Sequence, residues 1–175
     1  MALTLISTHT ASASATLDIT SGIDSTYDSY EFHFVNMHPA TDQVNFQFQV
    51  NTGFNQVMTT TTFDAYHFED DSDHRLVYEA FIDQAQTQLY QTIGAYYVGN
   101  DNDQSVSGVL RLFDPSSTTY VKQFTADGNG VYMGDASVNL FTAGYINTTS
   151  AIDKISFKFS SGNIDAGTIK MFGVT

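Results

Sequence analysis

Two-residue alternation of apolar and polar side chains recurs along this chain and constrains it more than any other feature. Near the C-terminus, Ile155, Phe157 and Phe159 alternate with Lys154, Ser156 and Lys158. Ser161-Gly-Asn then turns the chain, and Ile169 and Met171 point opposite to Lys170 and Phe172. A period of two places one face of a strand in a core and leaves the other wet. A strand that ends the sequence is expected to pair deep in a sheet.

The same pattern appears upstream. Tyr30, Phe32 and Phe34 alternate with Glu31, His33 and Val35, and Val44, Phe46, Phe48 and Val50 alternate with Asn45, Gln47 and Gln49. The loop Asn36-Met-His-Pro-Ala-Thr-Asp between them predicts antiparallel neighbours, with His33 on the solvent side of its strand. Further strands are predicted over 57–68, 106–113, 118–125 and 138–146, and an apolar, aromatic run spans 89–98. Asp114-Pro-Ser-Ser makes a tight turn. Residues 76–82 fit a strand or a helical turn, and 126–137, rich in glycine, reads as a flexible loop.

Composition agrees. There are 14 Phe and 10 Tyr but no Trp, and strong helix formers are sparse, which disfavours long helices. The expected fold is all-β: an antiparallel β-sandwich, jelly-roll-like, with about nine or ten strands. At 175 residues the chain suits one domain, 1–175. Residues 1–16 read as a docking arm: Leu3 and Leu5 could form an edge strand, but Thr8–Thr16 is too small and polar to bury much. Leu3, Leu5 and Ile6 are its candidate partner-binding residues.

Nineteen acidic against six basic residues give a formal charge of −13. Such a surface repels nucleic-acid phosphates and anionic membranes, so neither is an expected partner. The absence of cysteine excludes disulfides and thiolate metal sites. The N-terminus lacks the basic and apolar regions of a secretory signal, and no apolar run is long enough to span a bilayer.

Two acidic stretches are candidate cation sites. The first groups Asp64, His67, Glu69, Asp70, Asp71, Asp73 and His74; the second is Asn100-Asp-Asn-Asp, with Asp101 and Asp103. Asp70, Asp71, Asp73, Asp101 and Asp103 offer oxygen ligands for Ca²⁺, but neither stretch has the glycine and distal glutamate of an EF-hand. Solvated turns explain both equally well, and no cofactor is required. Five histidines occur without a nucleophile elbow. Nothing in the sequence selects a carboxylate pair for glycoside hydrolysis. The chain is therefore expected not to be an enzyme. Tyr27, Tyr66, Tyr96 and Tyr97 could stack on sugars, although aromatics in a sandwich are more often core or interface.

Several motifs together resemble a group of small virion proteins of tailed bacteriophages, chiefly marine and cyanobacterial. They are Asp18-Ile-Thr-Ser-Gly-Ile-Asp-Ser-Thr-Tyr-Asp-Ser-Tyr, Asn36-Met-His-Pro-Ala-Thr-Asp, Gly99-Asn-Asp-Asn-Asp-Gln-Ser, Phe113-Asp-Pro-Ser-Ser-Thr-Thr-Tyr-Val-Lys and Tyr145-Ile-Asn-Thr-Thr-Ser-Ala-Ile-Asp. Ser161-Gly-Asn-Ile-Asp-Ala-Gly-Thr-Ile-Lys-Met-Phe-Gly-Val closes the set. The group's usual ending is of Gly-Thr-Ile-Lys-Leu-Tyr-Gly-Ile type; Met171, Phe172 and Val174 depart from it conservatively. The resemblance implies a β-sandwich without catalytic residues. Taken with the short chain, the lack of a catalytic motif and the Ser/Thr/Ala-rich N-terminus, it favours a capsid decoration or cement protein on the phage particle surface, assembled in the host cytoplasm. Its partners would be the major capsid protein, other virion proteins and its own copies, as a trimer. The alternative is a tail or fibre-tip module that binds host-surface glycan, with Ca²⁺ assisting.

Overall fold

The structure, a computed structural model, describes residues 2–51 and 53–175. Ten strands of five or more residues are β1 (Leu3–Ser14), β3 (Ser29–Pro39), β4 (Phe46–Val50), β5 (Met58–Phe68), β6 (His74–Tyr78), β9 (Val106–Phe113), β10 (Lys122–Tyr132), β11 (Ala136–Ile146), β12 (Ile155–Phe159) and β13 (Ile164–Val174). Three short ones, β2 (Leu17–Ile19), β7 (Ala85–Thr87) and β8 (Gln91–Thr92), complete the count. The described residues contain no helix, and none is long and apolar enough to cross a membrane.

All pairing is antiparallel, in two sheets. The large sheet runs β1-β13-β3-β9-β10-β11-β5-β6, with β7 also on β5; the small one runs β2-β12-β4-β8. The all-β sandwich expected from the alternation is what forms. The C-terminal strand β13 lies between β1 and β3, paired on both sides.

The core is where the two sheets face each other. Phe46 meets Phe34 across the gap with ring centroids 5.2 Å apart, Phe48 meets Phe124 at 5.0 Å, and Phe157 meets Phe32 at 5.8 Å. These rings are fully buried.

Three local expectations are corrected. The runs 30–35 and 44–50 are not neighbours: β3 belongs to the large sheet and β4 to the small one. β12 and β13 likewise sit in opposite sheets. Alternation specifies which side chains enter the core but not which strand lies alongside, and a short loop bridges the ~10 Å between packed sheets as readily as it forms a hairpin.

The stretch 126–137 is not a flexible loop. β10 runs through it to Tyr132, and β11 returns from Ala136 in register with it. Its glycines mark close backbone approach: a Cβ on Gly128 would lie 2.6 Å from the Cα of Gly94, and one on Gly130 2.6 Å from the Cβ of Ala95.

The expected arm is also a strand. β1 pairs with β13 from Leu3 to Ser14, with one bulge at Ile6. Met1, its first residue, lies outside the described residues. Backbone pairing orders this segment within the chain despite its small polar side chains. Ala11 is buried and Ile6 packs on the core.

Candidate functional site

Beyond the small sheet, the inner face of β11, β5 and β6 is covered by the irregular segment that follows β6, through a second apolar cluster of Ile82, Tyr96, Val138 and Leu140. Strand alternation sends Asp64, Tyr66 and Phe68 to this face from β5, Arg75 and Val77 from β6, and Ala136 and Val138 from β11; in register, Tyr66 stands between Val138 and Arg75. All of these except Asp64 line a cleft of about 270 Å³ together with Glu79, Tyr96, Tyr97 and Tyr132.

The segment 93–99 supplies the opposite wall and is held by its backbone. Ile93 N–H donates to Phe46 O (2.9 Å), Val98 and Val44 exchange N–H···O bonds, and Gly99 N–H donates to Val131 O. Tyr97 is fixed at both ends: its N–H donates to the Asn45 side-chain oxygen at 2.9 Å, and its carbonyl accepts from Met133 N–H at 2.9 Å. Gly94 must stay without a side chain, since φ is +79° and a Cβ there would lie 2.8 Å from Val106.

The rings interlock. Tyr97 meets Tyr96 edge-on at 5.3 Å and Tyr132 at 6.1 Å; Phe68 bridges Tyr66 and Tyr132 at 5.8 and 6.0 Å. Arg75 lies over the Tyr66 ring, 5.6 Å from its centroid, and is paired with Asp73, which also accepts from Tyr66 Oη at 2.8 Å. The hydrogen bonds from Arg75 and Tyr66 hold the Asp73 carboxyl below the usual range.

Two carboxyl groups lie at this face, Glu79 in the cleft lining and Asp64 outside it. Asp64 is fully buried and Glu79 nearly so. Tyr96 Oη donates to Asp64 Oδ2 at 3.2 Å, while Asp64 Oδ1 has no partner. Burial, then a hydrogen bond and charge repulsion from Asp64, push Glu79 up to about 7. Burial also raises Asp64 and, before the two acids' charges, the Tyr96 hydroxyl. Two carboxyls in such contact hold a proton between them near neutrality. Of the two, Glu79 lines the cleft, where its carboxyl can donate to or accept from a hydroxyl-bearing ligand.

Of the tyrosines singled out from sequence, Tyr66, Tyr96 and Tyr97 meet here. Tyr27 does not; it packs edge-on against Tyr30 at 5.8 Å. Sequence reading missed Glu79, Tyr132 and the pairing of Asp64 with Glu79. Asp64 was detectable: it shares alternation phase with Thr60 and Thr62 on the buried side of β5.

The proposed calcium ligands do not converge. Asp70 accepts from Ser72 N–H at 3.0 Å within an Asx turn, Asp73 turns to Arg75 and Tyr66, and Asp71 lies beside His67 and His74. Asp101 and Asp103 are exposed in a turn closed by Gln104, whose N–H donates to Asp101 O at 2.9 Å. The Asp70 and Asp101 turns are closed by their own local hydrogen bonds. Leu3 and Leu5 are 53% and 54% exposed, whereas Ile6 points inward as the bulge residue.

Comparison with known proteins gives no match: no family model, no curated protein and no solved structure matches this chain.

Proposed function

We propose that this chain is a non-enzymatic structural protein of a bacteriophage virion, a capsid decoration or cement protein that binds the head shell by protein–protein contact. The observation that carries this reading is the free edge of β1. This twelve-residue strand ends the large sheet and contains no Asp, Glu, Lys, Arg or Pro, on a chain of charge −13. Edge strands are usually blunted with charge or proline because their unpaired N–H and C=O groups recruit another strand. Here a bulge is the main interruption, and Leu3 and Leu5 add exposed apolar surface beside it. A strand of the shell protein added to this edge would gain main-chain hydrogen bonds without charge repulsion.

The motif resemblance supports the phage assignment.

The test is location and copy number. A cryo-electron reconstruction of the particle should show this domain on the head in hundreds of copies (arranged as trimers, in this reading). Leu3→Lys with Leu5→Lys should abolish incorporation while the purified domain keeps its fold. Density confined to the tail, or normal incorporation of the double variant, refutes the head-shell reading.

The aromatic cleft favours a second reading, a tail module that binds host glycan. Sugars stack on tyrosine rings and bond their hydroxyls to carboxyl groups. In that case a glycan array should return hits that disappear in Tyr97→Ala and Tyr132→Ala.

A further inference from the structure

The β5–β6 hairpin gathers three side chains of metal-ligand type on the outer face of the large sheet, away from the cleft. His67 and His74 are direct cross-strand partners. Phe68 N–H donates to Asp73 O, so the Phe68/Asp73 pair is hydrogen-bonded and the adjacent His67/His74 pair is not. Partners of that second kind stand closest in antiparallel sheets, about 4.5 Å between Cα atoms, with side chains alongside. The two imidazole centroids are accordingly 5.0 Å apart.

Asp71, in the turn, has φ +59°. Its Oδ1 lies 2.9 Å from His67 Nε2 and 3.9 Å from His74 Nδ1. One donor atom from each of the three residues lies within 4.8 Å of the others, and all three side chains are exposed.

We propose that His67, Asp71 and His74 bind a divalent transition-metal ion, with Zn²⁺ as the probe. Two imidazole nitrogens and one carboxylate oxygen are borderline donors suited to Zn²⁺, Ni²⁺ or Cu²⁺. Ca²⁺ takes six to eight oxygens and finds one carboxylate here. In a tetrahedral site with bonds of about 2.0–2.2 Å, donors stand roughly 3.3 Å apart. The observed spacings reach that value by rotation of exposed side chains, with no shift of the core.

Neighbouring acids supply field in place of ligands. Asp70 is engaged by Ser72 and Asp73 by Arg75 and Tyr66, while their negative charge raises the local cation concentration. The remaining coordination position faces outward, open to water or to a ligand from a neighbouring molecule. The ion would tie β5 to β6, the last strand on that side of the sheet.

The experiment is calorimetric Zn²⁺ titration of the full chain, with imidazole NMR shifts as a second readout. Wild type should bind one ion saturably and shift the resonances of His67 and His74. His74→Ala should weaken binding at least about tenfold, Asp71→Asn should weaken it less, and Asp103→Asn should leave it unchanged. Ca²⁺ in equal concentration should not compete. Equal Zn²⁺ affinity in wild type and His74→Ala would overturn the site. Shifts at His9, His33 or His38 instead, competition by Ca²⁺, or no binding would do the same. The substituted side chains are solvent-exposed, and an unchanged metal-free circular dichroism spectrum verifies the fold of each variant.

Discussion

Replacing Phe46 with alanine will lower the unfolding free energy by about 3–5 kcal/mol, a large part of the 5–15 kcal/mol typical of a whole domain. Phe46 is fully buried on β4 and touches both layers. Its ring lies 5.2 Å from Phe34 of the large sheet and 6.0 and 5.3 Å from Phe157 and Phe159 on the adjacent strand. Truncation removes those contacts and leaves a cavity that strands fixed by ladders on either side cannot close. Phe141→Ala provides the control. Phe141 stacks on Phe63 at 5.0 Å, but on the outer face, with 38% of its surface exposed. Its loss should cost about 1 kcal/mol or less, in the range of cross-strand pairs. Urea unfolding of both variants measures the difference, and equal destabilisation would refute a core built between the sheets.

Glu79→Gln will make the protein more stable at pH 8, not less. The folded state holds the Glu79 carboxyl at about 7, against 4.5 for the free group. As pH rises through that window, the unfolded chain releases its proton while the folded chain retains it, so the site lowers stability progressively. Above the window the cost levels off at about 3 kcal/mol by linkage. Glutamine keeps a donor for Asp64 without the ionisation. The variant should exceed wild type by about 1–3 kcal/mol at pH 8, and the gap should shrink toward pH 5. Denaturation at pH 5, 6, 7 and 8 checks the sign, and a gap independent of pH would show that the two acids do not share a proton.

Alternation made the core phase readable residue by residue. Phe32, Phe34, Phe46, Phe48, Phe157 and Phe159 all enter the interior that their period assigns. Even Lys122 obeys it: in phase with Phe124 and Ala126, it is fully buried, with its Nζ donating to the carbonyls of Tyr120 and Thr148. Partnership was not readable, because β3 with β4 and β12 with β13 carry the same local pattern whether they lie side by side or face each other. Glycine was misread for a related reason. Gly128 looks like a turn residue in sequence, and only the distant Gly94 reveals it as a backbone contact. The cleft was half legible. The tyrosines were conspicuous, but Glu79 belongs to a segment without clear periodicity, and its proximity to Asp64 depends on long-range folding.

The backbone anchoring of residues 93–99 gives the cleft an unusual tolerance. Main-chain bonds at Ile93, Tyr97, Val98 and Gly99 and the Gly94–Gly128 approach fix the wall whatever ring position 97 carries. A library at Tyr132, and at Tyr97 with β-branched residues left out because its φ is +49°, would therefore vary the recognition surface on a constant frame, making this domain a scaffold for selecting new binders.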